Sequence, residues 1–283
     1  MSDKVEEQYH LGEHEETLDL FRLRNAQNCC GYLLPHLRSL KPSFRLLDLG
    51  CGPGSITFDL ANLFPEAIII GVDLSKEVTA QNNAKIPYYS KHSNIEFRAG
   101  DMLEPLSFLD VSELGSFDVV HEHATLIHMP DAPEALRQMR SICKSHNGVV
   151  ASRNGDMTSQ ILHPPCPENM KLILKSYEAS HGDASVGRKL VDHAMQAGWD
   201  REQIVSTASI MTNRTSEERQ AYAKSMLANL GDENSEMRKK AALLGFGPND
   251  IGKMQENMLR FADSPYGSRL LVCCEILCFN NGG

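Results

Sequence analysis

The chain has 283 residues, with 28 Lys and Arg against 37 Asp and Glu, for a formal charge of −9. At 41% apolar and 23% charged it has the composition of an ordinary globule with a sizeable core. The acidic balance argues against a nucleic-acid binder, which neutralises phosphates with surplus Lys and Arg. No apolar run reaches the about 18 residues of a membrane span, and the opening MSDKVEEQYH lacks the basic and apolar regions of a signal peptide. The sequence therefore reads as cytoplasmic, with no nucleic-acid or membrane partner expected, and it leaves a homodimer open. Eight cysteines, including the neighbours Cys29-Cys30 and Cys273-Cys274, follow no paired CxxC spacing and read as reduced, mostly buried small hydrophobes.

In chain order, residues 1–43 form a helical lead-in, with Leu18, Phe21, Ala26, Cys29, Leu33 and Leu37 at helical spacing and Pro42 closing the stretch. Residues 44–212 form the core. FRLLDLG reads as a strand, SITFDLANLF as a helix and AIIIGVDLS as a second strand, a βαβ unit whose strands must be parallel. A helix near 76–90, a strand at Ile95–Ala99, a strand at Phe117–His121, a helix after Pro133 and a strand at 148–154 continue the alternation. Helices near 168–180 and 187–197 precede a strand at Gln203–Met211. The pattern implies an α/β fold, doubly wound and mostly parallel, covered on both faces. Residues 213–268 break the rhythm: Thr215 with Glu218 forms a capping box, and Ser235 and Asn249 could cap two further helices. This insert reads equally as a solvated helical decoration or as a lid over the ligand edge of the sheet. Residues 269–283 supply the last strand, LLVCCEILCF.

The chemistry lies after the first strand, in Asp48-Leu49-Gly50-Cys51-Gly52-Pro53-Gly54. Glycines at 50, 52 and 54 let the backbone turn sharply against a ligand, while the next helix offers unpaired N–H groups. In open α/β sheets this carboxyl edge is where ligands bind. A dinucleotide fingerprint would need glycine where Ser55 stands, and a phosphate-binding loop would need a lysine that GPGSIT lacks. What remains is an acid, Asp48, placed to face an ammonium group directly or through water. A second acid, Asp73, ends the second strand and can accept from both ribose hydroxyls. Asp101 ends the third and can accept from an adenine amino group, with Met102 beside it to pack on the ring. These features suit S-adenosylmethionine, which carries an ammonium and a sulfonium but no phosphate.

The segments LLDLGCGPG, GVDLS, AGDM and FDVVHEHATLIHMPDAPEALRQMRSICKSHNGVV resemble, in order, those of the class I S-adenosylmethionine-dependent methyltransferases. The likeness is nearest to their small-molecule group related to ubiquinone and menaquinone biosynthesis, and it covers roughly residues 44–155. It implies a Rossmann-like, seven-stranded sheet whose last strand is antiparallel and inserted beside the sixth. It implies a cofactor site of Asp48, Gly50, Cys51, Gly52, Gly54, Asp73, Leu74, Asp101 and Met102, with Glu122 close by. Arg24 of the lead-in could pair with the cofactor carboxylate, the alternative being an exposed side chain on a solvated helix. KSHNG stands where relatives usually carry a Pro-Gly-Gly turn, which Asn147-Gly148 can still make.

Methyl transfer needs alignment and exclusion of water, and a base only for acceptors such as phenols, hydroxyls or activated carbon acids. His123 and His128, after the fourth strand, are candidate catalytic groups because imidazole titrates near neutral pH, although ordinary structural histidines also occupy such loops. His121 reads as packing at the strand end, and Arg153 faces the ligand edge. Tyr9, His10 and His14 of the lead-in could fold back over the site, the alternative for each being an exposed side chain on a solvated helix. The histidines are poor ligands for Mg²⁺ and lack a zinc quartet, so no metal is expected. The acceptor is expected to be a small molecule, with O, N, C or S as the methylated atom. Two rivals remain: a protein of the same fold that binds S-adenosylmethionine without methylating, and a nicotinamide-dependent oxidoreductase, which Ser55 disfavours.

Overall fold

The computed structural model describes residues 14–281. The lead-in is three short helices rather than one continuous stretch: α1 (Glu15–Arg22), α2 (Ala26–Cys29) and α3 (Leu34–Ser39). α1 carries Glu15 and Glu16 in its first turn and Arg22 in its last, a charge order that complements the helix dipole. The break that follows has a local cause, because Asn25 and Asn28 exchange side-chain and backbone hydrogen bonds of 2.8 and 2.9 Å. That reciprocal cap starts a new helix at Ala26.

The core then alternates as its periodicity requires. β1 (Arg45–Leu49), α4 (Ser55–Leu63), β2 (Ile68–Asp73), α5 (Lys76–Tyr89), β3 (Ile95–Ala99), β4 (Val119–His123), α6 (Ala132–Ile142) and β5 (His146–Gly155) follow one another. After them come β6 (Ile161–His163), α7 (Pro167–Ala179), α8 (Val186–Gln196) and β7 (Ile204–Asn213), then the insert helices α9 (Ser216–Gly231), α10 (Glu236–Leu243) and α11 (Pro248–Asp263), and β8 (Ser268–Asn281). β4 begins two residues later than its apolar run suggests, since Phe117 makes only an isolated bridge to Cys143. α9 and α10 start at the expected caps, Thr215 and Ser235. Asn249 is not a cap: α11 begins at Pro248, and Asp250 Oδ2 accepts from the Gly247 N–H at 2.9 Å.

The strands lie in the order β3-β2-β1-β4-β5-β8, with β7 beyond β8. All pairings from β3 to β5 are parallel, whereas β8 runs antiparallel to β5, β6 and β7. Seven strands therefore take the expected arrangement, with the last inserted between the fifth and β7. The eighth, β6, was not anticipated; it extends the line of β5 by pairing with Ser268–Leu270 of β8. Three residues ahead of Pro164-Pro165 are too few to show a period. At the start of β5 the ladder shifts register between His146 and Gly148, and Asn147 adopts φ +59°, so this departure is a bulge at the strand's entry.

Alternation along the strands splits the core in two. Leu46, Ile69, Val119 and Ala151 pack under α2, α3 and α4 with Cys29, Cys30, Leu33 and Leu37. Leu47, Val120 and Val150 meet Leu136, Met139 and Leu190 on the other face, in a cluster that continues into the insert through Tyr222, Met254 and Phe261. The insert is thus not a detached decoration. α1 lies along α9, where the Thr17 and Ser225 hydroxyls are 2.9 Å apart, Asn229 donates to Thr17 at 3.0 Å and His14 reaches Asp232 at 3.4 Å. Among the described residues no helix is long and apolar enough to cross a membrane.

Trp199 is a core residue. It is 2% exposed, its indole N–H donates to Asn280 at 2.8 Å, and the Arg140 guanidinium lies 5.1 Å from the ring centroid. Trp199→Ala is expected to lower unfolding free energy by about 3–5 kcal/mol, read from urea denaturation; a loss below about 1 kcal/mol would show that the end of α8 and β8 do not depend on this side chain.

Candidate functional site at the carboxyl edge of the sheet

β1 delivers Asp48 to the ligand edge almost fully buried, 2% exposed. Its two oxygens are taken by different elements: the Thr57 hydroxyl of α4 donates to Oδ2 at 2.6 Å, and His121 Nδ1 of β4 lies 2.8 Å from Oδ1. The other ring nitrogen of His121 is 3.6 Å from the Cys30 sulfur in the lead-in. Burial works against charge on His121, but Cys30 and Asp48 outweigh it and hold its pKa well above the ordinary histidine value. The sequence reading of His121 as strand-end packing missed this partnership, which only the register of β1 against β4 creates.

The loop that follows turns through left-handed glycines at 50, 52 and 54. A Cβ on Gly50 would stand 2.2 Å from the Thr125 hydroxyl, whereas one on Gly52 would meet nothing within 4 Å. The first glycine is therefore required by the neighbouring loop, and the second leaves open space against the backbone. Cys51 donates its N–H to Val72 of β2 at 3.0 Å, and burial pushes its thiol well above the ordinary range. Asn82 of α5 donates to the Gly52 carbonyl at 2.8 Å, a clamp with no sequence signal of its own.

At the tip of β2, Asp73 Oδ2 accepts from the Gly52 N–H at 2.8 Å and Oδ1 from the Ser75 N–H at 3.1 Å. Burial raises its pKa, opposed by these backbone donors. Leu74 beside it is 44% exposed, an apolar side chain standing at the edge. At the tip of β3, half-buried Asp101 accepts from the Leu103 N–H at 2.8 Å. Met102 instead belongs to the core, 6% exposed in the same cluster as Phe108 and Leu109.

β4 sends alternate residues to opposite faces. Glu122 is fully buried and its carboxylate is turned into the protein. It accepts from the Thr125 N–H at 2.9 Å, the Leu126 N–H at 3.3 Å, the Asn154 amide at 2.6 Å and the Ser152 hydroxyl. Burial raises its pKa against those bonds. The resemblance places this residue near the cofactor; here the group holds the loop after β4 rather than presenting oxygens to the edge.

His123 points to the lead-in face, 6% exposed, with both ring nitrogens lacking any partner. Burial and the neighbouring charges of Arg24, Arg153 and His121 push its pKa well below the ordinary value, so the ring is neutral. His128 lies in the loop with its ring tilted against Tyr177, centroids 5.8 Å apart. Arg153 is buried within β5 rather than past its end, 3.1 Å from Glu275. Arg24 stacks on Phe21, 4.2 Å from the ring, next to the point where Ser55 donates to the Phe21 carbonyl at 3.1 Å. His14 pairs with the insert rather than the site, and Tyr9 and His10 lie outside the described residues. Among the described residues no three His, Cys, Asp or Glu side chains group to hold a metal ion.

A doubly wound sheet with this glycine loop, acids at three successive strand tips and an antiparallel last strand beside β5 is the arrangement of a Rossmann-like methyltransferase. A family model described as a methyltransferase domain matches residues 40–239. The chain belongs to that family, the class I S-adenosylmethionine-dependent methyltransferases. It is 31% identical over 193 residues to an uncharacterized methyltransferase of Schizosaccharomyces pombe, covering 66% of each chain. It is 34% identical over 164 residues to a probable methyltransferase of Aspergillus luteorubrus, covering 55% of this chain and 54% of that one. The matches thus span between about half and two thirds of these relatives' own length. Among solved structures, a putative sarcosine dimethylglycine methyltransferase from Galdieria sulphuraria superposes with a TM-score of 0.53 at 16% identity, covering 96% of this chain and 93% of that one; this likeness speaks to the fold alone.

The His121–Asp48 pair has a definite pH signature. Because the folded pKa of His121 is raised, its stabilising contribution is complete below the ordinary histidine value and fades as pH climbs through the higher folded one. His121→Asn is therefore expected to cost most stability near about pH 6 and progressively less in alkaline solution, measured as denaturation midpoints across pH; a cost that grew with pH would refute the charged pair.

Proposed function

We propose that the protein transfers the methyl group of S-adenosylmethionine to a small organic acceptor by direct displacement, in a space roofed by α1 and the insert helices. The observation that carries this reading is the convergence at three neighbouring strand tips of open backbone at Gly52 with the carboxylates of Asp48, Asp73 and Asp101. The residues present fit the cofactor. Each Asp73 oxygen accepts one backbone N–H and keeps a second lone pair for a ribose hydroxyl. Exposed Leu74 offers an apolar ledge for a purine, and Asp101 an acceptor for its amino group. Asp48, with one bond to each oxygen, retains acceptor capacity toward an ammonium group, directly or through water, while Arg24 can pair with a carboxylate.

When bound, S-adenosylmethionine supplies a methyl carbon already activated by its sulfonium. The work left to the chain is to align an acceptor with that carbon and to exclude water. Glu122 contributes by fixing the backbone that leaves β4 at His123 and carries His128. A neutral, buried imidazole at His123 can accept a hydrogen bond from an acceptor that carries a proton, and so help to position it. The bonds from α1 to α9 and to Ser55 support a role for lead-in and insert as one cover over the edge.

Tritiated-methyl transfer against a metabolite panel tests the reading: labelled small-molecule product is expected, and tight S-adenosylhomocysteine binding without label in any pool would reduce the protein to a binder. The ribose assignment is tested separately. Asp73→Ala is expected to weaken S-adenosylhomocysteine binding by about 1–3 kcal/mol in titration calorimetry, and an unchanged affinity would remove Asp73 from the site.

A further inference from the structure

The sheet ends in β3 on one side and in β7 on the other, and the fold treats these two borders differently. β3 is five residues long, and side chains close its outer edge. Asn83 of α5 accepts from the Phe97 N–H at 3.0 Å and donates to the Phe97 carbonyl at 2.7 Å, as a further strand would. Glu96 and Arg98 stand on either side of that residue, and Arg98 is ion-paired with Glu96 and with Glu113. A short border that carries charge and has its backbone groups occupied does not recruit another strand.

β7 has none of this protection. Among the described residues it pairs with β8 alone. It runs for ten residues, Ile204 to Asn213, without a charged side chain or a proline. Its ladder with β8 proceeds from Ile204 opposite Cys278 to Asn213 opposite Arg269 with no bulge. Val205, Ser206, Thr207 and Ala208 are all exposed. Successive side chains of a strand lie on opposite faces, so neither face is covered there by any described helix or loop. Ile210 is 63% exposed and stands opposite Val272, itself 36% exposed. A long, regular, uncharged border of this kind is a template for pairing with another strand.

The charges at its two ends say which strand fits. Glu202, in the turn 201–203, precedes β7 and Arg214 follows it, and both are exposed. Let two copies of β7 pair antiparallel about a two-fold axis through Ala208. The small Ala208 side chain then meets its own copy, Ser206 faces Ile210, Val205 faces Met211, and Glu202 comes opposite Arg214 at both ends. Sliding the copies loses this match: one step sets Arg201 opposite Arg214, the other Gln203. β3 is shielded and β6 spans only three residues, so each copy has one long bare border and the pairing closes at two copies instead of growing into a fibre.

We propose that the protein forms a two-fold dimer in which β7 pairs antiparallel with β7 of a second copy, in the register that centres Ala208 and joins Glu202 of each copy to Arg214 of the other. The two sheets become one across this border. β4, β5 and β8 separate β7 from β1 and its glycine loop, so the contact leaves the cofactor edge free.

Sedimentation equilibrium of the purified chain is the test, with the wild type expected to be a dimer at micromolar concentration. A208K sets two ammonium groups against each other on the axis and is expected to weaken the dimer at least about tenfold, with the far-UV spectrum and the urea midpoint retained. The register is tested by exchanging charge. E202R and R214E each place like charges opposite one another at both ends, and each is expected to weaken association about fivefold or more. E202R/R214E restores opposite charges and is expected to return the dimer to within about twofold of the wild type. This series rests on exposed positions outside the strand and decides the matter if A208K does not fold. A wild type that stays monomeric at about 100 μM overturns the proposal, as does a dimer indifferent to A208K. A dimer that neither charge reversal weakens, or that the double exchange does not restore, overturns the pairing as stated.

Discussion

A single buried carboxylate fixes the geometry on which this edge of the sheet depends. Asp48 sits at the tip of β1 with Thr57 on one oxygen and His121 on the other, and His121 reaches on to Cys30. Taking an ion out of water costs several kcal/mol unless it is paired and hydrogen-bonded. The charge therefore tolerates little displacement of β1, β4, α4 or the lead-in relative to one another. The glycine loop leaves β1 two residues later, so its path is set by where that charge is satisfied. Pairs of this kind are weak contributors to net stability and stronger ones to a unique arrangement.

Much of this architecture was legible in the sequence because it rests on local periodicity. The βαβ unit, the glycine loop, the acids at three strand tips and the caps at Thr215 and Ser235 all follow from residues near one another in the chain. What escaped notice was long-range. The partnerships of Asp48 with His121, of Asn82 with the Gly52 carbonyl and of Arg153 with Glu275 join residues 73, 30 and 122 positions apart; strand register brings the first and last together, and the packing of α5 against the sheet the second. The division of labour between Glu122 and His123 was likewise hidden. Pleating sends one to each face, yet HEH shows no periodicity that says which is which. The short strand β6 and the break at Asn25 were missed for a different reason, being smaller than the window in which a pattern can be recognised.

The lead-in and the insert lie far apart in sequence and meet in space. Thr17, Ser225 and Asn229 form a buried polar contact between α1 and α9, while Ser55, the first residue of α4, donates to the Phe21 carbonyl. α1 is thus bonded on one side to the insert and on the other to the helix that begins at the glycine loop. α1 therefore joins the helix that follows the glycine loop to the insert.

The position of β8 bears on how the chain assembles. It is the common neighbour of β5, β6 and β7, yet it follows all three in sequence, and the helices α9 to α11 intervene before it. Until residues 268–281 are in place, β5 presents an open edge and β7 has no sheet to join. Nascent or partly folded molecules therefore expose unsatisfied strand borders of the kind that invite mispairing between chains, and this third of the sheet closes late, through contacts of high sequence separation.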